Sequence, residues 1–196
     1  MRGLAVAAAS TIALLSGQFG AAGAEAPTQP AGSLDRLVSL LAERLDTADS
    51  VAAAKWTQAE RDGTQPTIDD PTREAAIYAD MIRLGAQQDL PATQVRQAFE
   101  AQIDANKIVQ RGLVTLWNTG LSPAPSTAPD LTSVRPIIDR VNVEIIDELA
   151  RDHTELAAPD CTARLIGSVL ATVGTRHLDP LHQAALTRAS IPLCEA

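Results

Sequence analysis

Residues 33–56 read SLDRLVSLLAERLDTADSVAAAKW. Leu34, Leu37, Leu41, Leu45 and Ala48 recur every three or four positions, which lays one apolar stripe along an α-helix that Ser33 can cap and that continues towards Trp56. Two cations interrupt that stripe. Arg44 follows Leu41 by three residues and Lys55 follows Arg44 by eleven, which at about 3.6 residues per turn returns to nearly the same face. A helix that aims an arginine and a lysine the way its leucines point must pair those charges internally or border a polar cavity, because an unpaired buried charge is costly.

The rest of the chain extends the pattern. A polar stretch, Thr57 to Thr67, is expected to interrupt the first helix, and Asp70-Pro71 then supplies an N-cap with proline in the first turn of a second, whose buried face carries Ile77, Met81 and Leu84. Pro91 opens a long third helix with Val95, Phe99, Gln102, Asn106, Gln110, Leu113 and Trp117 on one stripe. NTGLSPAPSTAP, residues 118–129, is loop by composition. A fourth long helix carries Leu131, Ile138, Ile145 and Leu149, and two shorter ones cover roughly Ala163–Val173 and Pro180–Ala189. No alternating strand pattern competes. The prediction is an all-α, single-domain bundle of about six helices.

Composition agrees. Of the 196 residues, 45% are hydrophobic and 20% charged, enough for one substantial core, and the two Trp, two Phe and one Tyr leave that core to Leu, Ile, Val and Ala. The net charge of -8 and the scarcity of rings argue against nucleic acid as a partner.

Residues 1–24 carry Arg2, a 12-residue apolar run from Leu4 to Leu15, and small residues ending Ala22-Gly23-Ala24. That order is a secretory signal peptide, and the run is well short of the about 20 residues a membrane span needs. The expected organisation is a cleaved signal over 1–24, a Pro/Gly-rich lead over 25–32 and one domain over 33–196. The protein is expected to be exported, periplasmic or secreted, with no membrane contact after cleavage. In an oxidising compartment Cys161 and Cys194 should form a disulfide. His153, His177 and His182 show no metal-ligand spacing and read as surface or packing residues; no metal and no cofactor is implied.

Each of the four long helices sets a polar group among its apolar positions: Arg44 and Lys55 on the first, Arg73 four before Ile77 on the second, Asn106 and Gln110 on the third, and Arg135 between Leu131 and Ile138 on the fourth. Asp70 and Glu74 accompany Arg73, but no acid lies on the stripes of Arg44, Lys55 or Arg135. Taken singly, each could be an ordinary ion pair. Together they call for an anionic ligand, and guanidinium groups beside an ammonium suit a small dicarboxylate. Phosphate is the alternative, without a glycine-rich loop to cradle it. No G-x-S-x-G or S-x-x-K motif offers a nucleophile.

At these residues the sequence resembles a known family. LLAERLDTADSVAAAKW (40–56), IDDPTREAA (68–76) and QAFEAQIDANKIVQ (97–110) are similar to the helical AroQ-type chorismate mutases, specifically their secreted gamma subclass. The eleven-residue step from Arg44 to Lys55, the Asp70-x-x-Arg73-Glu74 motif and the Asn106-x-x-x-Gln110 pair carry the resemblance. The signal peptide, the C-terminal cysteine pair and TRHLDPLHQAAL (175–186) extend it over the mature chain. The stretch from Lys55 to Asp70 is longer than the family's, as if Thr57–Thr67 held an insertion, and Arg61 is an alternative cation to Arg73.

The resemblance implies conversion of chorismate, a dicarboxylate, to prephenate. Arg44 and Arg135 would bind the carboxylates, Lys55 and Gln110 the ether oxygen, and Arg73 would extend the same cationic wall. Asp70 and Glu74 would serve the hydroxyl side, and Asn106 would replace a small hydroxyl residue. The catalytic set is thus Lys55, Gln110 and Arg44. The pericyclic rearrangement needs no nucleophile and no proton transfer, in keeping with their absence. Isochorismate pyruvate-lyase activity on the same fold and a non-catalytic exported anion-binding protein are the alternatives. A homodimer is compatible with the pattern, with each site formed within one chain.

Overall fold

A computed structural model describes residues 34–194. The expected signal peptide, the lead and the Ser33 cap lie outside the described residues. Seven α-helices and a 3-10 turn follow one another, and among the described residues there is no strand. The order is α1 (Asp35–Asp62), α2 (Pro71–Ala86), α3 (Ala92–Asn118), α4 (Leu131–Arg151), α5 (His153–Leu156), α6 (Cys161–Arg176), α7 (Pro180–Ser190) and η1 (Ile191–Cys194). The six expected helices are all present; the four-residue α5 and η1 are additions that periodicity could not reveal.

The polar stretch after Trp56 does not end the first helix. α1 runs on through Thr57 to Asp62, because Ala59 still reaches the core while its polar neighbours face solvent. It stops where Gly63 adopts φ 65°, from which Gly63 and Thr64 donate N–H groups back to Glu60 and Ala59 at 3.4 and 2.9 Å. That left-handed cap favours glycine, which has no Cβ to crowd the carbonyl. The irregular segment between α1 and α2 is therefore only 63–70.

α1 is the central element, about 42 Å long at 1.5 Å per residue, and packs on α3, α4, α6 and α7. Its leucines Leu37, Leu41 and Leu45 meet Phe99 of α3, Ile145 and Leu149 of α4 and Leu186 of α7 in one core. α4 lies antiparallel to α1: Arg36 pairs with Glu144 at 2.6 Å near the start of α1, while Arg140, earlier in α4, pairs with Glu43 further along it. α2 closes the fourth side against α3 and α4. Trp56 and Trp117 meet edge to face at 5.4 Å where the ends of α1 and α3 adjoin. Cys161 and Cys194 form the expected disulfide and tie the start of α6 to the end of the described chain. No helix among the described residues is long and apolar enough to cross a membrane.

His182 takes the packing role expected of a histidine here, between two carboxylates. It is buried at the start of α7 with Nδ1 2.7 Å from Asp179 and Nε2 3.2 Å from Asp49 on α1. These bonds, first that to Asp49, outweigh burial and push its pKa up to about 9.

Candidate active site

α1, α2, α3 and α4 enclose a cavity of ≈150 Å³. Arg44, Lys55, Asp70, Arg73, Glu74, Asn106, Gln110 and Arg135 all line it, beside apolar walls from Val51, Ile77, Ile103, Val134 and Ile138. The eight residues singled out in the sequence are thus brought together by four different helix segments. Burial differs among them. Arg44, Asn106 and Gln110 are buried and Lys55, Arg73 and Glu74 half-buried, whereas Asp70 and Arg135 are exposed. Arg135 does not point into the core as its stripe suggests; it sits in the second turn of α4 at the cavity mouth, where the helix has just left the 119–130 loop.

Arg44 is 4% exposed and is held by neutral groups alone: Nε donates to Asn142 Oδ1 at 2.7 Å and Nη1 to the Gln102 carbonyl at 3.3 Å. Burial pushes its pKa down to about 10, a value that keeps the guanidinium charged at neutral pH. Asn106 donates Nδ2 to the Arg44 carbonyl at 3.4 Å, so the two share an anchor. Lys55 donates Nζ to the Ile68 carbonyl at 2.6 Å, which occupies one of three ammonium protons. Burial lowers its pKa, against the nearby charges of Asp70, Asp69 and Glu74 that support the cation. Among the described residues neither Arg44, Lys55 nor Arg135 forms an ion pair with an acid.

The acids are arranged otherwise than their spacing suggests. Asp70 caps α2, its Oδ1 accepting the Arg73 N–H at 3.0 Å, while its own N–H donates to Glu74 at 3.2 Å. That reciprocal pair is a capping box displaced by one residue. Arg73 reaches Asp139 of α4 at 3.8 Å instead of Asp70 or Glu74. Glu74 instead pairs at 2.8 Å with Lys107, which also lies 3.1 Å from Asp69. Lys107 lines the cavity too, so both lysines of the chain face it. The sequence reading missed Lys107 because it falls one position after Asn106, off the apolar stripe of α3.

Gln110 contributes a buried carboxamide whose Oε1 has no partner. A larger cleft of ≈1110 Å³ adjoins the cavity, between the end of α1 and residues 126–132, and shares Lys55, Leu131 and Arg135 with it. Size favours the outer cleft, but only the inner cavity brings Arg44, Lys55 and Arg135, three cations without an ion pair, to one surface, with Asp70 and Glu74 also on its wall. Arg61 lines the outer cleft, not the cavity that Arg73 lines, and donates to Gln58 at 2.7 Å.

The sequence matches the profile of the family Chorismate mutase type II over residues 35–111, which spans α1, α2 and most of α3. A secreted chorismate mutase of Mycolicibacterium smegmatis is 35% identical over 169 residues, covering 86% of this chain and 90% of that protein. The chain belongs to the chorismate mutase type II family. A secreted chorismate mutase of Mycobacterium tuberculosis is 33% identical over 83% of this chain and 79% of its own length. The solved chorismate mutase of Burkholderia thailandensis is 34% identical, with a TM-score of 0.76 over 82% of this chain and 98% of that one. For a chorismate mutase type II chain the profile ends within α3, so Arg135, α4 and the disulfide-tied helices lie beyond it. The likeness to the secreted relatives and the solved structure extends across most of the chain.

Proposed function

We propose that the chain is an exported chorismate mutase that isomerises chorismate to prephenate in the cavity between α1 and α4. Family membership supports the activity. One observation carries the site: Arg44, Lys55 and Arg135 line one cavity, none of them in an ion pair with an acid, beside a buried carboxamide whose oxygen has no partner. Arg44 is the costly member, a buried charge with only neutral partners, and a substrate carboxylate would relieve it.

The rearrangement breaks a C–O ether bond and forms a C–C bond within one molecule, and no proton or group leaves it. What the protein must supply is a compact conformer and stabilisation of the negative charge that grows on the ether oxygen. Arg44, its fork braced by Asn142 and Gln102, binds one carboxylate from the buried end. Arg135 at the mouth meets the other, with Arg73 adding charge along the wall. Lys55 keeps two ammonium protons free of the Ile68 carbonyl, and these with the Gln110 amide donate to the ether oxygen. Amide rotation exchanges Oε1 for Nε2, so a donor can face the ligand. Glu74 accepts from the substrate hydroxyl beside the Asp70 backbone, and Asn106 presents its free carbonyl oxygen. One chain contributes every group, so a homodimer would not need to share residues between sites. Cleavage after residue 24 would release the protein from its export signal, in keeping with the secreted relatives.

The test is to mix the purified chain from residue 25 onward with chorismate and identify the product. Prephenate without pyruvate is the expected result. Release of pyruvate would make the protein a lyase, and chorismate binding without turnover would make it a binding protein. Lys55→Ala should lower kcat by about 10²–10³, the usual cost of a lost charge-stabilising donor, while the thermal midpoint stays near wild type.

A further inference from the structure

Lys55 is held by a peptide carbonyl that has no regular structure to fix it. Ile68 lies in the irregular segment that joins α1 to α2, and among the described residues 65–69 make no backbone-to-backbone hydrogen bond. What anchors the segment next to Ile68 is the side chain of Asp69. Its two oxygens accept from Arg111 Nη2 at 2.8 and 2.9 Å, and its Oδ1 lies 3.1 Å from Lys107 Nζ. Lys107 also grips Glu74 at 2.8 Å, and Glu74 accepts the Asp70 N–H on the far side of the same turn. Lys107 and Arg111 stand four apart on α3, hence on one face of the helix that also carries Gln110.

We propose that Lys107 and Arg111 clamp Asp69 so that the Ile68 carbonyl holds the Lys55 ammonium in position, which makes Asp69, Lys107 and Arg111 positioning residues of the site. The inference rests on the reading of Lys55 as the donor to the ether oxygen. Its physical content is entropic. A lysine side chain carries four rotatable bonds, and a donor fixed before substrate arrives need not be ordered in the transition state. Hydrogen bonds from Lys107 and Arg111 hold the Asp69 carboxyl below the usual carboxylate range, so the clamp persists into mildly acidic conditions. Arg111 is 54% exposed and lies outside the cavity lining, so its effect on turnover cannot run through contact with substrate.

Arg111→Gln should lower kcat about threefold to fivefold, the scale of one exposed ion pair, with KM within about twofold and the thermal midpoint little changed. Arg111→Lys, which keeps the pairing, should restore most of the loss. Asp69→Ala removes both anchors and should cost about tenfold by the same scale. In a Lys55→Ala background neither change should lower kcat further, since both act through Lys55. Wild-type kcat in Arg111→Gln and Asp69→Ala, or an equal loss with and without Lys55, would overturn the proposal.

A second readout needs no turnover. The chain has two lysines, so lysine labelled with carbon-13 at the ε position gives two side-chain signals, assigned by the one missing in Lys55→Ala. The Lys55 signal should be split in the wild type, its two ε protons held in different surroundings, and should collapse towards a single averaged signal in Arg111→Gln and Asp69→Ala. An unchanged Lys55 signal refutes the clamp even if the protein proves inactive on chorismate. Inactivity by itself refutes only the functional reading.

Discussion

The Gln110 carboxamide lies buried in a cavity lined by both lysines, with its oxygen unpaired. An amide donates a hydrogen bond at any ordinary pH, whereas a carboxyl must be protonated to do so. The rate of the wild-type protein should therefore stay nearly flat between mildly acidic and mildly alkaline pH, and that of Gln110→Glu should fall as pH rises. Steady-state kcat across that range checks both, and an unchanged profile in the variant would remove Gln110 from the ether oxygen. A second residue-scale consequence concerns Asp152, at the C-terminal end of α4. Burial, then Glu148 and Glu155, push its carboxyl up to about 6. A raised carboxyl opposes folding where it is ionised, so Asp152→Asn should raise the thermal midpoint at pH 7.5, and the gain should shrink as pH falls below about 6. At this scale the sequence was most informative. The placement of Arg44 and Lys55 on one cavity wall, which depends on helical phase, could be read in advance. Lys107 could not, because its partners Asp69 and Glu74 come from a different part of the chain.

Among the elements, α2 and α7 show how helix ends do local work. Asp70 caps α2 through the Arg73 N–H, and Asp70→Ala should cost about 1 kcal/mol of stability, measured by urea unfolding, whatever it does to turnover. α7 docks on α1 partly through His182, squeezed between Asp179 and Asp49. The folded His182 pKa of about 9 exceeds the ordinary 6.5, so the stability it adds is complete below pH 6.5 and disappears as pH rises through 9. The urea midpoint of His182→Asn should thus lie below wild type at pH 6 and approach it by pH 10. Helix boundaries were legible where a cap or proline marked them, as at Asp70-Pro71. The end of α1 was not, because Thr57–Asp62 reads as polar punctuation and remains helical only through the burial of Ala59 and the Gly63 cap.

For the molecule as a whole, the disulfide closes a separation of 33 residues that holds α6 and α7. On the chain-entropy estimate such a loop stabilises the fold by about 3–4 kcal/mol. Reduction, or a Cys161→Ser/Cys194→Ser pair, should lower the unfolding free energy by up to that amount and leave kcat at 25 °C nearly unchanged, since no cavity residue lies in the closed loop. Net charge hides a local reversal: a chain at -8 folds its two lysines and three of its arginines onto one cavity. By itself the sequence determined the helical class, the extent of most helices, the cysteine pairing and which residues share a face, because periodicity and capping are local properties of a chain. Only the tertiary structure decided which acid meets which base. Arg73 turns to Asp139, Glu74 to Lys107 and Asp69 to Arg111, and Arg135 stops at the rim. Those pairings depend on the crossing and relative slide of packed helices, which are set by how the side chains of four helices interlock, not by spacing along any one of them.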